Sequence, residues 1–325
     1  MTGFIRVIIF FLLLTPFVYA DPVEQVPLPS AMAVLGDSIS EGLMSEFSIE
    51  RAPGLLQVIS MIRLVSGLTG IDRINVFRKE YAKSEHSWST GTDDSDIVFS
   101  HLERLQTARP DIKGFNFAIS GTETKNLMGQ IDKFLEVEDS QNILIDYVTL
   151  LIGANDLWGT QLEEIVSPLV YAGHIESALR RLLEKNPNRM ILIVGLPHVH
   201  DLFEKSSELV ALDILGHAIK CQDMRTNIYG DAIIFKPKDP NYQATKLIVA
   251  LYQKGLEEVA ARLRSDYPKA HVKAIHDYDI PGVINKTLSA DCFHPSLWGQ
   301  AMLAEGTWRH GFWPDLVTDD MSLSR

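Results

Sequence analysis

"VTLLIGAND", residues 148–156, runs five apolar or β-branched residues straight into a glycine and an Asn-Asp pair. A strand wetted on one face alternates apolar and polar residues. A run with no such alternation is covered on both faces, as in a parallel sheet under helices. "MILIV" (190–194) reads the same way. The segment between them predicts a helix: Ser167 can cap it and Pro168 suits its first position. Leu169, Ala172, Ile175, Leu179 and Leu182 then recur at steps of three and four, and Asn186-Pro187 stops it. Strand, helix and parallel strand form the repeating unit of an α/β layer fold.

Three further runs extend the sheet to five strands: "MAVL" (32–35), "FNFAI" (115–119) and "VKAI" (272–275). A second long helix follows "DPN" (239–241), with Leu247, Ala250, Leu251 and Val259 expected to face inward. Two regions break the rhythm. Residues 50–110 hold an apolar helical pattern (55–68) and the polar stretch "KSEHSWSTGTDDSD" (83–96). Residues 197–240 read as a loop and an irregular segment. Both are expected to be insertions in one domain, 21–325, built as an α/β sandwich on a five-stranded parallel sheet.

Residues 1–20 have the layout of a secretory signal peptide: one charge at Arg6, the apolar block "VIIFFLLL", and small Ala20 before the expected cut. The block is short for a bilayer span. Without it the chain carries 29 Lys and Arg against 42 Asp and Glu, a net charge of −13. Such a surface repels nucleic acid, and contact with a lipid surface would need a local apolar patch. The two cysteines, Cys221 and Cys292, can form one disulfide or remain two buried thiols. A bridge of that separation stabilises by roughly 4 kcal/mol on the chain-entropy model. Asn285-Lys286-Thr287 fits a glycosylation acceptor.

Ligands of open parallel sheets bind outside the carboxyl ends of the strands. The first run ends in Gly36-Asp37-Ser38, the second in Ser120-Gly121, the third in Gly153-Ala154-Asn155-Asp156; Asp291-Cys292-Phe293-His294 lies beyond the fifth. These are the parts that acyl transfer needs. Ser38 can be the nucleophile and offer its own N–H to the oxyanion. Gly121 can supply a second N–H and Asn155 a side-chain amide. His294 is the candidate general base, and Asp291, three residues earlier, can fix its tautomer. No G-x-S-x-G occurs, so the lipase elbow is absent.

In these blocks the chain resembles the SGNH hydrolases, also called the GDSL esterase/lipase family. "GDSIS", "NFAISGTE", "LLIGANDLWG" and "ADCFHPSLWGQAM" look like its first, second, third and fifth blocks. "SEHSWSTG", "GANDL" and "DCFHPS" look like its phospholipase B-like branch. The resemblance spans residues 31–310. It implies a flavodoxin-like three-layer α/β/α fold and a serine esterase without metal or organic cofactor. Position by position it implies Ser38, Asp291 and His294 as the triad, with Ser38, Gly121 and Asn155 forming the oxyanion hole. The branch further implies acyl esters of phospholipids or lysophospholipids as substrates. Animal members carry a cysteine soon after the Asn-Asp, where this chain has Trp158, so its disulfide pattern must differ.

Other constellations weigh less. His198, His200 and Asp201 invite a metal reading, but two histidines in a loop are commoner as rim or structural residues. His174 falls on the first long helix and is expected to be partly buried there. Trp88, Trp158, Trp298 and Phe293 are candidates for an acyl-binding wall, with ordinary packing the simpler role for each. Two other functions fit the same residues less well: a carbohydrate O-acetyl or other small-acyl esterase, and a non-catalytic binding module. Bulky apolar side chains crowding Ser38 would favour the small-acyl reading; a long apolar groove would favour lipid.

Overall fold

The computed structural model of the protein describes residues 26–49, 78–214, 216–278 and 284–316. The stretch 1–20, expected to be a signal peptide, and the apolar pattern at 55–68 lie outside them. The central sheet holds β1 (Ala31–Gly36), β2 (Lys113–Asn116), β3 (Tyr147–Leu151), β4 (Met190–Val194) and β7 (His271–Ile275). Its order is β2-β1-β3-β4-β7 and every pairing is parallel. This is the flavodoxin-like order, and it reverses between β1 and β3. The exits of those two strands are therefore neighbours facing one crevice.

Alternation along β3 separates the two faces. Tyr147 and Thr149 meet His101 and Ser89, at 2.9 and 2.7 Å. On that side α2 (His101–Ala108) packs with α9 (Leu297–Arg309) through the 2.9 Å contact of His101 with Thr307. Val148 and Leu150 point the other way, to α3 (Leu127–Gln141), α4 (Pro168–Lys185) and α7 (Tyr242–Asp266), which pack in succession. Sheet and two helical layers make the α/β/α sandwich.

Several local expectations need correction. The second strand pairs from Lys113 and its ladder ends at Asn116, although Phe117 and Ile119 still donate to Val34 and Gly36 carbonyls. On α7, Leu247, Ala250 and Leu251 are exposed, Leu247 by 61%. Its buried face is Tyr242, Thr245, Val249, Tyr252, Leu256, Val259 and Leu263. The apolar count misphased the helix because its inward positions near the N-terminus are tyrosine and threonine. Their hydroxyls find partners inside: Tyr252 donates to the Val166 carbonyl and Thr245 meets His200. Leu169 is also exposed, in the first turn of α4, before Tyr171 opens the buried face. Residues 197–240 are not irregular. They hold α5 (Val199–Ser206), the antiparallel hairpin of β5 (Val210–Ile214) and β6 (His217–Lys220), and α6 (Cys221–Tyr229). Cys221 and Cys292 are joined in a disulfide.

The end of β1 leaves no room for a side chain. A Cβ on Gly36 would lie 2.2 Å from the Leu151 carbonyl oxygen, and its φ of +150° disfavours a side chain independently. Buried Gln130 on α3 holds this residue twice: Gly36 N donates to Oε1 at 2.9 Å and Nε2 donates to Gly36 O at 2.7 Å. Gln130→Leu should leave the Gly36 N–H unpaired in the core and lower unfolding free energy by about 1–3 kcal/mol in urea titration.

Candidate active site

Asp37 turns the chain from β1 into the one-turn helix α1 (Ser38–Glu41), its Oδ1 accepting from Ile39 N at 3.0 Å. Ser38 is thereby set at the helix start, at the strand exit. The turn is braced from three directions. Trp88 Nε1 donates to Ser40 Oγ, and both Ser87 Oγ and Asn116 Nδ2 donate to the Ser40 carbonyl. Gln300 on α9 accepts from Trp88 N at 3.0 Å and donates to Ile39 O at 2.9 Å. Stretch 83–96, polar in sequence, buries Trp88 completely behind the Ser38 turn. Its sequence hides this because the buried neighbours are serines, each saturated by a backbone or side-chain partner.

The candidate base, His294, comes from the far end of the chain. His294 Nδ1 lies 2.7 Å from Asp291 Oδ2 and Nε2 lies 2.8 Å from Ser38 Oγ. Ionised Asp291 can only accept, so Nδ1 carries the proton, Nε2 is free to accept, and the Ser38 hydroxyl donates. Asp291 Oδ1 also accepts from Ser289 Oγ and from the N–H groups of Phe293 and His294. Tyr229 Oη donates to Oδ2 at 2.6 Å. Burial alone would raise the Asp291 pKa, but the His294 charge and these hydrogen bonds outweigh it and hold the carboxyl well below its usual range. All three residues are buried, with Ser38 4% exposed.

Gly121 and Asn155 stand at the neighbouring exits. Gly121 turns with φ +77° beyond β2. Ser120 before it donates through N and Oγ to the Glu41 carboxylate, at 2.7 and 2.5 Å, tying this loop to α1. Asn155 Nδ2 donates to Thr122 O at 2.9 Å, which orients the amide and leaves its second N–H unused by that bond. Asp156, one residue on, is buried and binds Thr124, which in turn meets half-buried His174 at 3.1 Å. His174 thus belongs to the support of the third exit.

The His198 group diverges: His198 and Asp201 are exposed, while His200 is buried against Thr245. Another set converges instead. His86, Asp93 and Asp96 bring ligand-type atoms within 4.8 Å of one another among the described residues. Their contacts are those of a hydrogen-bonded brace, with His86 Nε2 3.3 Å from Asp93 Oδ2 and Nδ1 3.0 Å from Ser45 Oγ. Of the four aromatic wall candidates, Phe293 lines an apolar cavity of about 30 Å³, with Ile39, Ala154, Leu202, Phe203 and Pro295. Trp158 packs on Tyr229 and Phe293 behind it, Trp298 lies under Lys286, and Trp88 is core.

The family model described as GDSL-like lipase/acylhydrolase matches residues 32–307. No curated protein matches the chain. Among solved structures, TesA is 17% identical over 88% of this chain and 99% of its own, with a TM-score of 0.44. The acetylxylan esterase Axe2 of Geobacillus stearothermophilus is 16% identical over 89% and 97%, with a TM-score of 0.44. The esterase EstA of a Pseudoalteromonas species is 13% identical over 86% and 94%, with a TM-score of 0.42.

Burial pushes the Asp37 carboxyl up to about 6, against the opposing pull of the Ile39 N–H and the His294 charge. The folded state therefore binds this proton more tightly than the unfolded state. The resulting stability is full below pH 3.8, the ordinary value, and is lost as pH rises through 6. Asp37→Asn can keep the cap and carries no charge. It should melt above the native protein at pH 8 by an increment worth about 1–2 kcal/mol, and show no such advantage at pH 4.

Proposed function

The chain belongs to the GDSL-like lipase/acylhydrolase family, and on that premise we propose that it is a serine hydrolase of carboxylic esters acting through Ser38, His294 and Asp291. One observation carries the reading: the continuous hydrogen-bonded line from Ser38 Oγ through the His294 ring to Asp291. Ser38 Oγ attacks the ester carbonyl carbon while His294 Nε2 takes its proton. Asp291 stabilises the imidazolium that forms. The oxyanion is received by the N–H groups of Ser38 and Gly121 and by the Asn155 amide. Collapse breaks the bond to the alcohol, which leaves with the proton from His294. Water, deprotonated by the same ring, then releases the acid and restores Ser38.

For the substrate we propose phospholipid or lysophospholipid esters, met by an exported protein at a lipid surface. The support is the set of phospholipase B-like blocks around 84–91, 153–157 and 291–296. A second reading, a small-acyl or carbohydrate O-acetyl esterase, is favoured by one observation. The apolar cavity lined by Ile39 and Phe293, the chain neighbours of Ser38 and His294, is small, and bulky Leu202 and Phe203 share its wall.

Ser38→Ala should abolish ester hydrolysis with the melting temperature retained; residual turnover would dismiss the mechanism. Asn155→Ala should lower kcat by about 10²–10³, the usual loss for one oxyanion donor, and an effect confined to KM would make Asn155 a binding residue only. A panel of p-nitrophenyl esters from acetate to palmitate, with phosphatidylcholine, lysophosphatidylcholine and acetylated xylan, decides the substrate. Lipid esters are expected to lead. If acetyl esters do, the crowded cavity governs and the lipid reading fails.

A further inference from the structure

Helix α6 belongs to the 197–240 insertion, far in sequence from every block of the site. Three of its residues nevertheless reach the segment that carries Asp291 and His294. Cys221 bonds covalently to Cys292. Arg225 Nη1 donates to the Cys292 carbonyl at 3.1 Å. Tyr229 Oη donates to Asp291 Oδ2 at 2.6 Å and lies 3.3 Å from His294 Nδ1. The spacing is four and four, so the three lie along one helix face. The segment they grip needs holding: Cys292 has φ +60°, a left-handed conformation that a residue with a Cβ keeps only when its surroundings impose it.

The grip is dry and specific. Cys221, Arg225, Cys292 and Asp291 are all 0% exposed. The Arg225 guanidinium lies over the Phe203 ring and donates to Ser206 Oγ and the Phe203 carbonyl. Its buried charge and that of Asp291 attract each other. Trp158 donates to the Tyr229 carbonyl and fixes the end of the helix.

We propose that α6 is a positioning clamp for the acid–base pair, in which Tyr229 orients Asp291 toward His294 while Cys221 and Arg225 fix the backbone at Cys292. Tyr229 is a positioning residue: its hydroxyl reaches the orienting carboxylate and not the ester. The clamp rests on the reading of Ser38, His294 and Asp291 as the triad. The charged and titratable groups that face His294 are Asp291, Tyr229 and Asp37, with Arg225 behind Asp291.

Tyr229→Phe keeps the ring and removes only the hydroxyl. Asp291 then has one donor fewer to share its charge and holds the His294 imidazolium more tightly. With p-nitrophenyl acetate, kcat should fall roughly ten-fold and KM stay within about two-fold. The acid limb of kcat/KM should move to higher pH by up to about one unit. The low-field Nδ1–H proton resonance of His294, followed by NMR without substrate, should shift its midpoint the same way. Replacing both cysteines (Cys221→Ser with Cys292→Ser) removes the bridge, which is buried beyond the reach of a thiol reagent in the folded protein. The double replacement should lower kcat of the native protein by a larger factor than that of the Tyr229→Phe variant, because the clamp is already broken there. An unmoved acid limb and resonance in Tyr229→Phe overturn the proposal. If that variant does not fold, Cys221→Ser is read by the same resonance, and an unmoved midpoint overturns it equally. Ser38→Ala alongside separates the two readings. Turnover in Ser38→Ala removes the triad, whereas a dead Ser38→Ala beside an unaltered Tyr229→Phe removes only the clamp.

Discussion

The 2.8 Å contact between Ser38 and His294 joins residues 256 positions apart, and buried hydrogen bonds on both sides keep it. A hydrogen bond of that span has no local propensity behind it. Each end must be fixed independently, to a few tenths of an ångström, by its own surroundings. On the serine side the constraint is steric: Gly36 abuts the β3 backbone, so the turn can leave the sheet along one path only. On the histidine side it is a set of donors, because fully buried Asp291 collects five hydrogen bonds.

The sheet was legible because parallel strands buried on both faces leave no polar position to confuse the reading, as at Met190–Val194. The helices were legible where the buried face was aliphatic. They were misread where it was not. The inward face of α7 begins with Tyr242 and Thr245, and a pattern that counts only aliphatic residues rotates the helix toward Leu247 and Leu251. The hairpin β5–β6 escaped notice for a related reason. Its second strand, His217–Lys220, is largely exposed, and an exposed strand of four residues carries no buried alternation to detect.

Within the site, the residues that meet at Ser38 were legible because each follows a strand or sits in a short block with its partner. Tyr229, Arg225 and Gln300 were not. Each acts through a contact made by folding alone, at separations of 62, 67 and 261 residues, and neither an arginine nor a glutamine on a helix signals a partner that distant. Trp88 shows the same limit from the other side. Its aromatic character suggested a substrate wall, while its indole N–H is spent on Ser40.

Gln300 has a further consequence for how this chain can be rearranged. One neutral amide holds Trp88 N by its oxygen and Ile39 O by its nitrogen, so it reads the polarity of two segments at once. Gln130 does the same for the two polar groups of Gly36. A carboxylate in either place could keep one contact but not both. The Ser38 turn is therefore not a portable peptide: a chimera that transplants residues 36–41 must also carry α3, the 84–91 segment and the start of α9. Recombination among relatives is free to exchange the outer faces of the helices. It meets a barrier wherever a crossover parts one of these amides from its two partners.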